Sequence, residues 1–288
     1  MKEIVKNLFI SMRPKQWIKN LFLFAAIIFV KEFTDFSKLL TVVFAFILFC
    51  LAASAVYLVN DLLDFEQDRN HPKKRSRPIA SGKLSQNTAW LVAALLIVLS
   101  LGNSLFINPY FAMLIANYIL LNILYSFYLK RVVIIDVIVV AAGFLIRVIA
   151  GAVAIGVTFS QWLILSTFFL TLFLGISKRK NELAYPQNSL TRTGLNQYSP
   201  QLLDQMNMIV LPSTIITYAF YTFSSEHSKL LMVTIPIVLY GLFRYLFLIS
   251  VKETIDDGPT DDLLFDKHLL VTVFIWLIVS AGIILYAG

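Results

Sequence analysis

The sequence predicts an all-α integral membrane protein with nine transmembrane helices. Two observations carry that prediction. Of the 288 residues, 58% are hydrophobic and only 14% charged, and the mean hydropathy is +0.78; soluble domains are about half apolar and a quarter charged. The apolar residues also fall into stretches approaching the roughly 20 that a helix needs to cross a bilayer.

In chain order, residues 1–16 set Val5, Leu8, Phe9 and Met12 against Lys2, Lys6 and Arg13, the pattern of an amphipathic helix at the membrane interface. Lys15 and Lys19 interrupt the apolar run that follows, and no small-residue cleavage site succeeds it, so this is not a cleavable signal peptide. The predicted spans are then 18–30, which is short, 39–60, 88–106, 109–128, 132–156, 161–177, 205–224, 228–250 and 268–287. Gly143, Gly151 and Gly156 in the fifth span read as points of close helix packing. The spans leave no room for a separate soluble domain, so 1–288 forms one membrane-embedded unit.

Charge orients the spans. Of 24 Lys and Arg, 19 fall in the N-terminal segment and alternate loops, three (Lys31, Lys38, Lys229) fall on the other side, and Arg147 and Arg244 are intramembrane. Positive residues face the cytoplasm, which places the N-terminus and the long polar loops 65–87, 178–204 and 251–267 there. Loops held on one side of a scaffold carry function, so the active face is predicted to be cytoplasmic. The net charge of +7 belongs to short membrane loops and forms no continuous groove, which argues against nucleic acid. Cys50 is the single cysteine, and His71, His227 and His268 lack ligand spacing, so a zinc site, a disulfide framework and a Ser-His-Asp triad are all excluded.

The chemistry concentrates at Asn60-Asp61-Leu62-Leu63-Asp64-Phe65-Glu66-Gln67-Asp68. At about 100° per residue, Asp61, Asp64 and Asp68 fall within an arc of roughly 60°, and Glu66 points away. Carboxylates on one stripe repel unless a cation sits among them. Hard oxygen ligands suit Mg²⁺, which takes a few carboxylates plus substrate phosphates. The cationic loop that follows holds Lys73, Lys74, Arg75 and Arg77; Arg75 and Arg77 are the candidate phosphate ligands, since a guanidinium grips phosphate with two bonds. Lys178-Arg179-Lys180-Asn181-Glu182 closes the sixth span, with Lys178, Arg179 and Glu182 on one face. Lys130, after Tyr125-Ser126, and Lys19, beside Trp17, are further phosphate candidates. Asp136 lies one turn inside the fifth span; Arg147, roughly 16 Å deeper, is too deep for the Asp site and is expected to pair within the bundle. The acidic 251–267 loop reads as a solvated connection.

These residues resemble the UbiA superfamily of intramembrane prenyltransferases over essentially the whole chain. Asn60–Asp68 matches that family's first aspartate-rich motif, N-D-x-x-D-x-x-x-D, and it continues with Arg69 and the Arg-Pro-Ile-Ala-Ser-Gly stretch ending at Gly82. Where aromatic prenyltransferases of the superfamily carry a second aspartate-rich motif, this chain has Lys178-Arg179-Lys180-Asn181-Glu182, one acid among three cations. That exchange is similar to the decaprenyl-phosphate phosphoribosyltransferase branch, as are Arg13-Pro14-Lys15-Gln16-Trp17-Ile18-Lys19-Asn20, Leu145-Ile146-Arg147 to Gly151, and Gly258-Pro259 with Asp266. The resemblance implies a UbiA-like helical bundle in a bacterial inner (plasma) membrane, with homo-oligomerisation left open. It implies phosphoribosyl diphosphate (PRPP) as donor, a polyprenyl phosphate as acceptor, Mg²⁺ as cofactor, and a product that serves as an arabinose-donor precursor for envelope polysaccharide. Asp61, Asp64 and Asp68 would hold the metal, with Asn60 a neutral ligand or orienter. Two rivals make different demands. An aromatic or lipid prenyltransferase predicts a second acid-rich segment, and an anion transporter predicts charge through the membrane and internal repeats.

Overall fold

A computed structural model describes residues 2–72, 74–158, 160–184, 194–224, 229–251 and 266–286. Every regular element among them is helical: α1 (Lys2–Ser11), α2 (Phe24–Phe29), α3 (Phe36–Leu63), α4 (Phe65–Asn70), α5 (Gln86–Ser104), α6 (Pro109–Phe127), α7 (Ile135–Ile155), α8 (Gln161–Ala184), α9 (Pro200–Ser224), α10 (Ile235–Val251) and α11 (Lys267–Tyr286), with short 3₁₀ segments between. Lys73, Arg192, His227, Lys252, Asp256, Asp257, Asp261, Asp262 and the Gly258-Pro259 pair lie outside the described residues.

Eight helices among the described residues are long and apolar enough to cross a membrane. The ninth predicted span, 18–30, is built differently. Pro14–Leu23 form a 3₁₀ helix that runs directly into the six-residue α2. At about 2.0 Å per 3₁₀ residue and 1.5 Å per α residue, this stretch covers about 29 Å, close to the hydrocarbon thickness of about 30 Å. Its contacts run antiparallel to α3: Trp17 Nε1 donates to Ser54 Oγ at 3.0 Å, Asn20 Nδ2 to Cys50 Sγ at 3.2 Å, and Ile27 packs with Val42. The 3₁₀ period of three explains the form. Trp17, Asn20, Leu23 and Ala26 are three apart, so a three-residue turn stacks them all on the bundle side, where an α-helix would fan them out.

Neighbouring helices have little hydrophobic reason to associate inside a bilayer, so close packing and polar cross-links take over. Gly151 of α7 shows the first: a Cβ there would meet the Leu23 carbonyl oxygen at 2.0 Å, so only glycine admits the 3₁₀ strand. Arg147 shows the second. It is 6% exposed and donates from Nε to Asn20 Oδ1 (2.7 Å), from Nη1 to the Gly143 carbonyl (2.8 Å) and from Nη2 to the Tyr118 hydroxyl (2.8 Å), joining the 3₁₀ segment, α6 and α7. The expected pairing within the bundle is present, but its partners are neutral. Gly156 departs from the packing expectation. It ends α7 at φ +67° with no atom near its missing Cβ, so it caps the helix rather than packing against a neighbour.

One apolar group centres on α3, α6 and α7 around Phe49, Phe111 and Ile115. Another joins α7–α11 around Phe173, Ile176 and Leu203. The N-terminal segment divides its apolar residues: Leu8 of α1 and Met12 just after it pack on the α3–α5 group, whereas Val5 and Phe9 are exposed, so it does not offer all four to one lipid-facing side. Asp266 opens α11. It accepts from Leu269 N at 2.8 Å and from Arg244 Nη2 at 2.7 Å, and the hydrogen bond from that guanidinium holds its carboxyl below the usual range.

Candidate active site

Because the crossings alternate, the C-termini of α3, α6 and α8 and the N-termini of α7 and α9 meet at one end of the bundle. The aspartate stripe survives the joint there between α3 and α4, because Asp64 N bonds to Asn60 O (3.0 Å) and Asp68 N to Asp64 O (2.8 Å) across it. Asp61 and Asp68 are each 3% exposed, and Glu66 is exposed, as its spacing predicts. A helix C-terminus already carries partial negative charge, so burying two carboxylates beside it demands cations.

The chain supplies them. Arg77 Nη1 reaches Asp61 Oδ1 (3.1 Å) and Asp68 Oδ2 (2.5 Å), Arg13 Nη2 reaches Asp61 Oδ1 (2.5 Å), and Lys130 Nζ reaches Asp64 Oδ1 (2.6 Å). Asn60 Oδ1 accepts from Ser126 Oγ at 3.1 Å, which ties α3 to α6. Among the described residues no three His, Cys, Asp or Glu side chains converge on one metal position. The three aspartates share a stripe as predicted, but guanidinium and ammonium groups divide them into an Asp61–Asp68 pair and a separate Asp64.

A second cluster sits on α6, α7 and α8. Arg179, 4% exposed, donates from Nε to Asp136 Oδ2 (2.7 Å), from Nη1 to Glu182 Oε2 (2.7 Å) and from Nη2 to the Tyr125 hydroxyl (3.3 Å). Three of the five guanidinium N–H donors are committed to protein, where the sequence reading has Arg179 facing a phosphate; the sequence neighbours do not reveal Asp136, 43 residues away. Glu182 is likewise engaged, with Arg179 and with Lys178 at 3.8 Å, rather than open to a sugar hydroxyl.

Tyr198 completes the cluster. Its hydroxyl donates to Asp136 Oδ1 (2.6 Å) and accepts from Ile134 N–H (2.6 Å). Burial first, and then the bond to Asp136, push that hydroxyl above the usual tyrosine range, so it stays a proton donor. Ile134 has φ 70°, a positive value costly for a β-branched residue. The Tyr198 bond holds it there, at the entry to α7. Gly194 lies against the Lys130 and Arg131 carbonyls, where a Cβ would come within 3.2 and 3.1 Å.

Of the predicted residues, the fold thus joins Asp61, Asp68 and Arg77; Asp64 and Lys130; Asn60 through Ser126; and Lys178, Arg179 and Glu182. Lys19 is half-buried on the 3₁₀ segment, and Arg75 is exposed and makes none of these pairs. Residues outside the predicted set also belong to the site: Arg13, Tyr125, Ser126, Asp136 and Tyr198. The signal for Asp136 was its charge inside a span. Tyr198, in a polar loop, gave none.

The model of the UbiA prenyltransferase family matches residues 20–278. The chain belongs to the UbiA prenyltransferase family. Among its relatives, a decaprenyl-phosphate phosphoribosyltransferase of Mycolicibacterium smegmatis is 33% identical over 96% of this chain and 92% of its own. One from Corynebacterium glutamicum is 35% identical over 96% and 86%. A UbiA homologue from Archaeoglobus fulgidus, solved with DMAPP and Mg²⁺, superposes with a TM-score of 0.75 at 19% identity, covering 97% of this chain and 99% of that one. The UbiA fold, a multi-pass membrane bundle, is therefore shared along the chain, and the two charged clusters occupy one end of it.

Proposed function

We propose that this UbiA family member transfers the 5-phosphoribosyl group of PRPP to a polyprenyl phosphate and releases diphosphate. One observation carries the reading: the end of α8 presents Lys178, Arg179 and Lys180 with a single acid, Glu182, where an aromatic prenyltransferase of the superfamily would need metal-binding acids. The 33% and 35% identical relatives named for this reaction support it.

The chemistry suits the residues. An acceptor phosphate oxygen forms a bond to ribose C1 as the C1–O bond to diphosphate breaks, and the bonding pair leaves with diphosphate. The nucleophile is already an anion, so no histidine base is required. The stripe offers only oxygen donors, which fits Mg²⁺. A bound Mg²⁺, for which Asp61, Asp64 and Asp68 would turn from their present cations, with Asn60 as a neutral oxygen, would take up charge on the departing diphosphate. Arg77 and Lys130, which pair with those carboxylates, would meet phosphate oxygens as substrate enters. Lys178 contributes charge at the opposite flank, and Arg179 keeps Glu182 and Tyr125 in place. Preorganised groups aimed at developing charge are often the largest catalytic term.

The purified protein, given labelled PRPP, Mg²⁺ and a series of polyprenyl phosphates, is expected to label the lipid. Transfer of a prenyl group from a prenyl diphosphate to an aromatic acid, with none from PRPP, would establish the other reading. In this proposal the membrane is a bacterial inner membrane and the site faces the cytoplasm, on the 19-to-3 division of basic residues. A cysteine placed at position 75 should resist an impermeant thiol reagent in intact cells; labelling there would reverse the orientation.

A further inference from the structure

On the α1 side of the aspartate stripe lies a cleft of about 300 Å³, lined by Asn7, Ser11, Arg13, Asp61, Arg77 and Lys83 among others. We propose that this cleft is a phosphomonoester subsite, with Arg13 and Lys83 gripping the dianion and Arg77 shared between it and the carboxylates. The assignment rests on the transfer reaction proposed above, and it adds where one of that reaction's phosphates sits.

Charge is the first argument. Arg13, Arg77 and Lys83 face the cleft against Asp61 alone; adding Asp68, which Arg77 also holds, still leaves one positive charge in excess. Lys83 is exposed and makes no ion pair among the described residues, so it has no structural partner to lose. The Asn7 side-chain amide, half-buried on the same wall, likewise makes no hydrogen bond there, and it adds a neutral donor.

Backbone geometry is the second argument. Two turns in the left-handed region deliver the cations. Arg13 itself has φ 52°, unusual outside glycine, and this reverses the chain between α1 and the 3₁₀ segment so that its side chain meets Asp61 and lies over the Tyr57 ring at 4.9 Å. Gly82, at φ 76°, makes the turn that carries Lys83. A non-glycine residue held in that region against its preference marks a constrained position.

The third argument is the number of anions the reaction must seat. Besides the diphosphate, there are two phosphomonoesters: the terminal phosphate of the acceptor lipid and the 5-phosphate of the ribose. A metal-bound diphosphate belongs at the carboxylates. Here Asp61 Oδ1 is already engaged by two guanidinium groups, so an anion in the cleft meets cations directly. Both phosphomonoesters present the same chemistry, and the kinetics separate them.

The experiment uses the full chain in nanodiscs and compares Lys83→Ala with Lys83→Arg. Lys83→Ala is expected to raise KM about 10-fold, the size of one charge-assisted hydrogen bond, for one substrate: PRPP if the ribose phosphate occupies the cleft, the polyprenyl phosphate if the acceptor does. Lys83→Arg should restore most of that affinity, and inhibition by inorganic diphosphate should not change. In parallel, ribose 5-phosphate and dodecyl phosphate are titrated by ³¹P NMR, and one of them should bind about 10-fold more weakly to Lys83→Ala. This arm needs no turnover, so it tests the subsite even if PRPP proves not to be the donor. Unchanged KM values with unchanged binding of both probes would overturn the proposal. So would an equal loss of diphosphate inhibition.

Discussion

Asp64→Asn is expected to lower turnover by about 10²–10³-fold while leaving the fold intact, the scale seen when one preorganised group at developing charge is removed. The substitution keeps the shape of the side chain and removes one charge at the end of α3, where the proposed reaction sets the stripe against the phosphates of the substrate. Asp64 is the clean probe. It is half-buried and holds one cation, Lys130 at 2.6 Å, which can turn to solvent when released. Asp61→Asn should be at least as damaging to activity but also softens the fold, because Asp61 is buried and anchors both Arg13 and Arg77. Glu66→Gln, on an exposed side chain, should change little. Activity of the parent protein should vanish in EDTA and return with Mg²⁺. Full turnover by Asp64→Asn, or full activity in EDTA, would remove the stripe from the chemistry.

Arg179→Ala is expected to cost stability first, by about 3–5 kcal/mol, the range for breaking a buried ion pair from one side. The loss leaves buried Asp136 with the Tyr198 hydroxyl but no cation and Glu182 with Lys178 at 3.8 Å, and takes one donor from the Tyr125 hydroxyl. A thermal melt in detergent should show it as a large fall in Tm. Arg179→Lys should recover little, because a single ammonium cannot reach three partners held by a planar fork. Removing the stranded charge tests the cause: Arg179→Ala combined with Asp136→Asn should melt higher than Arg179→Ala alone. If Arg179→Ala instead melts like the parent and only raises KM for PRPP, the guanidinium is a substrate clamp and the network described here is secondary.

These variants fall where local pattern and tertiary contact part company. The bundle was legible because a long apolar run has few alternatives in lipid: every backbone polar group must be satisfied within the segment, which leaves the helix. Eight spans follow from that constraint alone. The stretch from Pro14 to Phe29 meets it largely as a 3₁₀ helix, because its inward residues Trp17, Asn20 and Leu23 repeat every three positions, and a short span can gain length by tightening to 3₁₀. The three-residue repeat is in the sequence, but only the Gly151 gap and the Arg147–Asn20 bond show why it is used.

The site divides the same way. Helical periodicity by itself determines that Asp61, Asp64 and Asp68 share a stripe and that Glu66 leaves it. Composition determines that the charge gathers at one face. Which cation meets which carboxylate was a tertiary decision. Lys130 lies 66 residues from Asp64, Arg179 lies 43 from Asp136, and Arg13 lies 48 from Asp61. Those pairings form only when alternating crossings bring distant helix ends together in a medium of low dielectric. There a buried charge must find a partner, and its identity is set by the packing of the helices that carry it, which no local pattern encodes.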